Sequence, residues 1–208
     1  MDEPALEGRA GVARVEAFSD GVLAIIITIM VLELHAPETP GLPALLGLWK
    51  TFFAYVISYN YIAIYWINHH RLFGHARSVT CGLLWSNIVL LFALSLIPFS
   101  TAYLGKHLGD PLASALYAMS LLAPALAYFW LLTIIRRTGL QGAASQTYYR
   151  AITRKGIAAS IVYALAVPVS FAAPFVGVTM AGLVGLFWIL PWGPLDALFI
   201  GKDACEKL

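Results

Sequence analysis

The sequence predicts an all-α integral membrane protein with six transmembrane helices, and three features carry this prediction. Hydrophobic residues make up 60% of the 208 positions and charged residues 12%, whereas a soluble domain is about half apolar and a quarter charged. The mean hydropathy is +0.79. Six apolar segments recur, each near the ~20 residues that a helix needs to cross the hydrocarbon core. They are residues 16–35, 44–67, 80–103, 112–135, 152–172 and 176–199.

The first segment has a competing interpretation as a cleaved signal peptide, because its uncharged core, Gly21 to Leu32, has the 12-residue length of an h-region. The sequence Leu34-His35-Ala36 is a poor small-residue cleavage site, however, and the stretch before the core is rich in acidic residues. These are Asp2, Glu3, Glu7, Glu16 and Asp20. We therefore expect a retained first helix.

Prolines lie in or beside the last three apolar segments. Pro124 lies in the fourth segment, and Pro168, Pro174 and Pro191 lie in or beside the fifth and sixth. Proline is common in membrane helices, so we interpret these residues as kinks. The alternative is a secondary transporter, in which broken helices carry the binding site. Six helices without a charge at the midplane leave little with which to couple a proton.

The connections are too short to hold a second domain, which would need ~50 residues or more. Residues 104–111 and 173–175 are the tightest of them. We therefore expect residues 1–208 to form one membrane domain.

Orientation follows from the thirteen Lys and Arg residues, because short loops rich in them stay in the cytoplasm. Only Lys50 and Lys106 fall on the other side. The cytoplasmic set is Arg9, Arg14, Arg71, Arg77, Arg136, Arg137, Arg150, Arg154, Lys155, Lys202 and Lys207. We therefore expect a multi-pass protein of the plasma membrane with both termini in the cytoplasm.

The same side holds Cys81 and Cys205, which we expect to be reduced packing residues. The net charge of +2 reflects scattered basic residues without interleaved aromatic ones, so nucleic acid is not an expected partner.

The first helix has a continuous stripe along one side. At 100° per residue, its members fall within a sector of about 80°. We call this set the α1 stripe: Arg14, Phe18, Gly21, Ile25, Thr28 and Leu32. Ile29 lies at its edge. Such a stripe is typical of helix packing, and lining of a pore is the alternative.

Asp20 points away from the stripe, on the side of Glu16, Ala24 and Val31. A carboxylate at this depth costs several kcal/mol unless it is paired or hydrated. We interpret Asp20 as a brace at the helix start, with direct ion binding as the alternative. A long Arg14 side chain can reach around the helix end, so we favour it as the partner of Asp20 or of a neighbouring helix. Other candidate partners lie at the end of the second helix, in "NHHR": Asn68, His69, His70 and Arg71.

His69, His70 and His75 also suggest a metal site, since imidazole clusters bind zinc. Neighbouring His69 and His70 point about 100° apart on a helix, and no carboxylate follows at the spacing that a ligand pair needs. A membrane-embedded hydrolase would need three or more ligands at one depth. We expect no metal and no enzymatic activity.

Glu33 and His35 lie at the outer end of the first helix. A ring of carboxylates there would concentrate cations, and a solvated helix end is the equally open alternative.

The run Arg14-x-x-x-Phe18-Ser19-Asp20, followed by "GVLAIIITIMVLEL", resembles the signature of the transmembrane protein 175 family of potassium channels. The likeness extends to an Ile seven positions and a Thr ten positions after Phe18. It covers more loosely the six-helix layout, the "NHHRLF" segment and the basic loop after the fourth helix.

The resemblance implies a channel whose pore is lined by the first helix of each repeat and lacks the TVGYG carbonyl filter of ordinary potassium channels, a sequence that this chain does not contain. With a single repeat per chain, the resemblance implies a homotetramer in the lipid bilayer. It implies no cofactor, only the permeant potassium ion.

Position by position, the resemblance makes Ile25 the hydrophobic constriction and Thr28 the hydroxyl linked to potassium preference. Ile29 and Leu32 fall at the next levels facing the pore. The helical period independently places Ile25, Thr28 and Leu32 on one side of the helix, in agreement with these pore-facing positions. It is less decisive for Ile29. We expect only modest preference for potassium over sodium, because four hydroxyls do not replace a hydration shell as a carbonyl cage does.

The resemblance also implies a packing and hydrogen-bond network at the cytoplasmic start of the pore helix. Its expected members are Arg14, Phe18, Ser19, Asp20, Asn68, His69 and His70.

Overall fold

A computed structural model of the protein describes residues 3–139 and 142–189. Within these ranges all regular secondary structure is helical and no β-strand is present, which confirms the all-α prediction. The helices are α1 (Glu3–Leu32), α2 (Leu42–Gly47), α3 (Trp49–Phe73), α4 (Cys81–Ser95), α5 (Ile97–Lys106), α6 (Pro111–Thr138), α7 (Ala143–Ala172) and α8 (Pro174–Ile189).

Four described segments are long and apolar enough to cross a membrane. They are Gly8–Leu32, Cys81–Lys106, Pro111–Thr138 and Ser145–Ala172. The second of them consists of α4 and α5, and the four correspond to the first, third, fourth and fifth predicted helices. Their number supports a multi-pass membrane protein.

The other two predicted helices correspond to α3 and α8. Helix α3 has 25 residues but is less apolar, since it carries several amides, histidines and basic residues. Helix α8 has 16 residues, and positions 190–199 of the predicted sixth helix lie outside the described residues. The count of six membrane crossings therefore stays a prediction.

Two helices begin earlier than the apolar pattern predicts. Helix α1 starts at Glu3 rather than residue 16, and its first turns pack closely on the segment before α4. A Cβ on Gly8 would lie 2.9 Å from the Arg77 carbonyl oxygen. Helix α7 starts at Ala143 rather than residue 152. Hydropathy marks the part of a helix that meets lipid, not the turns that continue beyond it.

Caps and prolines set the other boundaries. The Thr80 hydroxyl accepts a hydrogen bond from the Leu83 amide (3.1 Å), and the Asp110 carboxylate accepts one from Ala113 (2.8 Å), so each residue caps the helix that follows it. Pro98 lies in the first turn of α5, where its missing N–H interrupts the ladder from α4. Of the predicted kinks, Pro124 and Pro168 lie inside helices and Pro174 starts α8; Pro191 is outside the described residues.

Helix α6 is at the centre of the bundle and packs against α4, α5, α7 and α8. Tyr117 of α6 is fully buried, and its hydroxyl is 2.9 Å from that of Ser58 on α3. The Ser58 hydroxyl also accepts from Thr101 of α5 at 2.7 Å. Helix α1 lies at one side of this bundle and packs on α3, α4 and α5, which leaves much of its circumference uncovered.

Candidate functional site

The α1 stripe faces away from the rest of the subunit. Phe18, Ile25 and Leu32 are 60%, 58% and 72% exposed, and Ile29 at the stripe's edge is 44% exposed. These side chains are apolar, so their exposure means contact with lipid, a second protein chain or a pore.

The buried residues of α1 lie on the opposite side of the helix. Leu23, Ile26 and Met30 are each at most 4% exposed and belong to the hydrophobic core. At 100° per residue their mean direction is about 150° from that of the stripe. The subunit's own packing therefore fixes the direction in which the stripe points.

Thr28 is the polar member in the middle of the exposed stripe. Its hydroxyl donates to the Ile25 carbonyl oxygen on the preceding turn, at 2.9 Å. The hydroxyl oxygen still has two acceptor lone pairs, so it can face a cation while its proton is engaged. The hydrogen bond holds the side chain in one orientation.

A groove of about 540 Å³ runs along α1 between the stripe and α5. We call it the α1–α5 groove. Its α1 wall is Val22, Ile25, Ile26, Ile29 and Glu33, and its α5 side is Ser95, Pro98, Phe99, Ala102, Tyr103 and Lys106. Most of its lining is apolar, and Glu33 and Lys106 are the charged side chains in it.

The middle of α1 is joined to α3 and α4 through a buried amide. The Asn87 side chain of α4 donates to the Ser19 hydroxyl (2.9 Å), and its carbonyl oxygen is 2.8 Å from His69 Nε2. All three residues are at most 1% exposed. Ser19 in turn donates to the Val15 carbonyl oxygen. This chain of hydrogen bonds joins α1, α3 and α4.

Two acidic residues of α1 contact α3 outside this buried chain. The Trp66 indole donates to the Asp20 carboxylate at 2.9 Å, and His70 Nδ1 lies 2.6 Å from the Glu16 carboxylate. Within the described residues no salt bridge joins Asp20 to Arg14, the partner that the sequence favoured for it. The six-residue separation turns Arg14 about 120° away from Asp20, onto the exposed stripe.

The predicted network therefore divides into two sets. Ser19, Asp20, His69 and His70 make the contacts just described, whereas Phe18 is exposed on the stripe together with Arg14. The remaining predicted member, Asn68, donates to the Ile64 carbonyl of its own helix, and its backbone carbonyl accepts from the Tyr128 hydroxyl.

The histidines that suggested a metal site have separate partners. His69 stacks on Phe73 with ring centroids 4.2 Å apart, and His75 stacks on Tyr148 at 4.6 Å. Among residues 3–139 and 142–189 no three His, Cys, Asp or Glu side chains converge.

Sequence reasoning missed Asn87 and did not identify Trp66 as the partner of Asp20. An amide in the otherwise apolar run of α4 was the available signal for Asn87, because polar groups at membrane depth are retained where they have partners. The contacts of Trp66 and Asn87 with α1 span 46 and 68 positions of the chain, which helical periodicity cannot reveal.

Comparison with known proteins agrees with the family resemblance of the first helix. The family model described as endosomal/lysosomal potassium channel TMEM175 matches residues 14–98. Over 180 residues the chain is 40% identical to a protein of Chryseobacterium sp. (strain P1-3) named a potassium channel, covering 86% of this chain and 92% of that one.

Two further relatives differ in how much of the chain they match. A Streptomyces collinus protein, also named a potassium channel, is 33% identical over 185 residues, covering 84% of this chain and 90% of that one. The human protein named endosomal/lysosomal proton channel TMEM175 is 35% identical over 79 residues, which is 32% of this chain and 16% of the human one.

Proposed function

The chain belongs to the TMEM175 family, and on that premise we propose that it is a potassium channel whose pore is lined by α1 of four identical subunits. Ions pass down their electrochemical gradient without coupling to another solute. The bacterial relatives that match along most of the chain are named potassium channels. This supports a transport role over an enzymatic one.

The observation that carries this proposal is the direction of the α1 stripe. Ile25 and Leu32 are exposed on the side of α1 opposite to the buried Leu23 and Met30, and Thr28 lies between them. When four copies assemble with these stripes facing a common axis, each stripe residue forms a ring around that axis.

The rings of Ile25, Ile29 and Leu32 form a hydrophobic constriction. They span seven residues, which is roughly 10 Å of helix rise. A narrow apolar ring stops ions by dewetting, because an ion cannot lose its hydration water against carbon at tolerable cost. Opening therefore requires the α1 helices to separate or rotate.

Thr28 provides the selectivity within this constriction. Its four hydroxyl oxygens replace part of a potassium ion's hydration shell, and potassium sheds water more readily than sodium. The resulting preference for potassium is modest, because four hydroxyls coordinate an ion less completely than a carbonyl filter.

The channel lies in the plasma membrane as a single domain, with both termini in the cytoplasm. The distribution of basic residues supports this orientation. The channel needs no cofactor, and its partners are the other subunits, the lipid bilayer and the permeant ions.

Proton conduction is the second candidate activity. The human relative is named a proton channel, although it matches only part of the chain. Protons cross a wetted constriction along water, without binding at Thr28.

Potassium flux from liposomes tests the proposal, with sodium and N-methylglucamine as comparison cations and a pH-sensitive dye to report protons. Wild type passes potassium faster than sodium. Ile25→Asn raises the flux because an amide wets the constriction. Thr28→Ala narrows the difference between potassium and sodium because it removes the hydroxyl ring.

The matched control for the gate is Ile161→Asn. Ile161 is 55% exposed, close to the 58% of Ile25, but lies on α7. We expect the Ile161→Asn variant to leave the potassium flux at the wild-type level. Absence of flux above empty liposomes, or equal effects of the α1 and α7 variants, would overturn the pore assignment and favour a secondary transporter.

A further inference from the structure

Helix α2 has an apolar face that the described part of the chain leaves uncovered. None of its residues is buried, and its three leucines are each more than half exposed. At 100° per residue the leucines fall within a sector of about 100°, and the half-buried Ala44 lies on the other side of the helix. The leucines therefore point away from the subunit. We call them the α2 face: Leu42, Leu45 and Leu46.

The backbone sets α2 apart from the long helix α3 that follows it. Gly41, directly before α2, has a φ of 127°, which favours glycine. Pro43 lies in the first turn, where an N–H would have no partner within the helix. At the other end the Leu48 amide donates to the Leu45 carbonyl oxygen, only three residues back (3.1 Å). This tight turn separates the two helices and allows them to point in different directions.

The charged residues of α3 indicate the depth at which α2 lies. Lys50 and Arg71 are the only lysine, arginine or acidic residues of α3. At 1.5 Å of rise per residue they are about 31 Å apart along the helix, which matches the hydrocarbon thickness of about 30 Å. Helix α2 precedes Lys50 and therefore lies at the outer edge of the hydrocarbon. Its leucines are exposed to water if α2 continues along the axis of α3, and are buried in lipid if α2 bends over onto the bilayer.

The surroundings of α2 favour the bent arrangement. Trp49, directly after α2, is exposed, and Lys50 Nζ lies 6.0 Å from the centre of its ring. Tryptophan is enriched where acyl chains meet headgroups, and the lysine charge is complementary to lipid phosphates.

The exposed apolar surface also continues beyond α2. Leu48 has helical φ and ψ, so the helical period carries through the turn and places Phe52 and Val56 on the same side as the α2 face. Both side chains are exposed and lie within the length of α3 that crosses the hydrocarbon. The α2 face is thus the outer end of a surface that meets lipid.

We propose that α2 lies in the outer interface of the membrane, with the α2 face inserted between the phospholipid headgroups and the start of the acyl chains. Interfacial helices bury their apolar face about 5–10 Å into this boundary. The partner is the phospholipid surface itself. The proposal goes beyond the proposed function and does not depend on conduction along α1.

Depth-dependent fluorescence quenching tests this position. Leu45→Cys is made in a chain that also carries Cys81→Ser and Cys205→Ser, labelled with nitrobenzoxadiazole, and reconstituted into liposomes of phosphatidylcholine and phosphatidylglycerol. We expect emission shifted to the blue of the label in water, and a loss of quenching by iodide supplied on both sides of the membrane. A lipid nitroxide near the headgroup quenches the label more strongly than one near the end of the acyl chain. Leu46→Cys gives the same result.

Two controls in the same background set the limits of the scale. Glu38→Cys carries the label in the exposed segment before α2, and we expect iodide to quench it fully. Ile161→Cys carries it at an exposed position in the membrane-crossing part of α7, where the deep nitroxide quenches most strongly.

Three results would each overturn the interfacial position. Iodide quenching of the Leu45 label equal to that of the Glu38 label places the α2 face in water. Strongest quenching by the deep nitroxide, as for Ile161, places it in the hydrocarbon core. Protection of the Leu45 label from iodide and from both nitroxides means that protein covers the face, which would assign it to a second chain.

Discussion

At the scale of single residues, Asn87 is a buried polar group that joins α1 to α3 and α4. Its amide donates to Ser19 and its carbonyl oxygen contacts His69, and all three lie in the interior. A buried polar group that loses its partner costs about 1–3 kcal/mol. The amide therefore fixes α1 against α3 and α4 in one relative position.

We predict that Asn87→Ala lowers the melting temperature of the protein in detergent. It removes the hydrogen-bond partner of the buried His69 Nε2 and one of the two hydrogen bonds of Ser19, and it creates a small cavity. The control is Asn60→Ala. The Asn60 amide donates to the Val56 carbonyl oxygen of its own helix, so its loss costs little. Equal melting temperatures for the two variants would contradict the bridging role.

Some residues of the candidate site could be predicted from the sequence, but their partners could not. Ser19, Asp20, His69 and His70 were predicted to form a network, and each contacts another helix. Their partners were not predicted, because Asn87 and Trp66 meet α1 only after the chain has folded back. Arg14 is exposed on the stripe, on the side of α1 where the helical period placed it.

At the scale of elements, the close approach of α3 and α5 positions the wall of the α1–α5 groove. A Cβ on Gly105 would lie 2.9 Å from the Thr51 Cα, a distance that requires the two helices to move apart. Thr101 of α5 donates to Ser58 of α3 one turn earlier. Helix α5 is thus held to α3 by contact and by hydrogen bonding.

Gly105→Ala is expected to lower the melting temperature, because overpacking against a backbone typically costs about 1–3 kcal/mol. Gly156→Ala is the control, since nothing lies within 4 Å of the added Cβ. Alanine is favoured over glycine inside a helix by about 0.5–1 kcal/mol, so this variant keeps or raises the melting temperature. The opposite order would contradict the close approach.

At the scale of the whole molecule, the uncovered side of α1 argues for assembly. The sequence and the subunit together leave Ile25, Thr28 and Leu32 facing outward, and a channel needs several such faces around one axis. Among the described residues of one chain, nothing covers Phe18, Ile25 or Leu32, which stay more than half exposed.

We therefore predict that the purified protein has four times the 22.6 kDa mass of one chain. Native mass spectrometry in a mild detergent measures it directly, with the bound detergent removed in the gas phase. A monomer that still supports potassium flux in liposomes would contradict the four-fold pore.

The sequence by itself determined the helical class, the multi-pass membrane character, four helices long and apolar enough to cross a membrane, and the exposed side of α1. These features depend on composition and on the helical period, which act over neighbouring turns. The tertiary structure alone decided the contacts of Asn87 and Trp66, the early start of α1 and the groove beside α5. Those depend on which distant segments pack together, and an interaction between residues 68 positions apart leaves no periodic pattern in either segment.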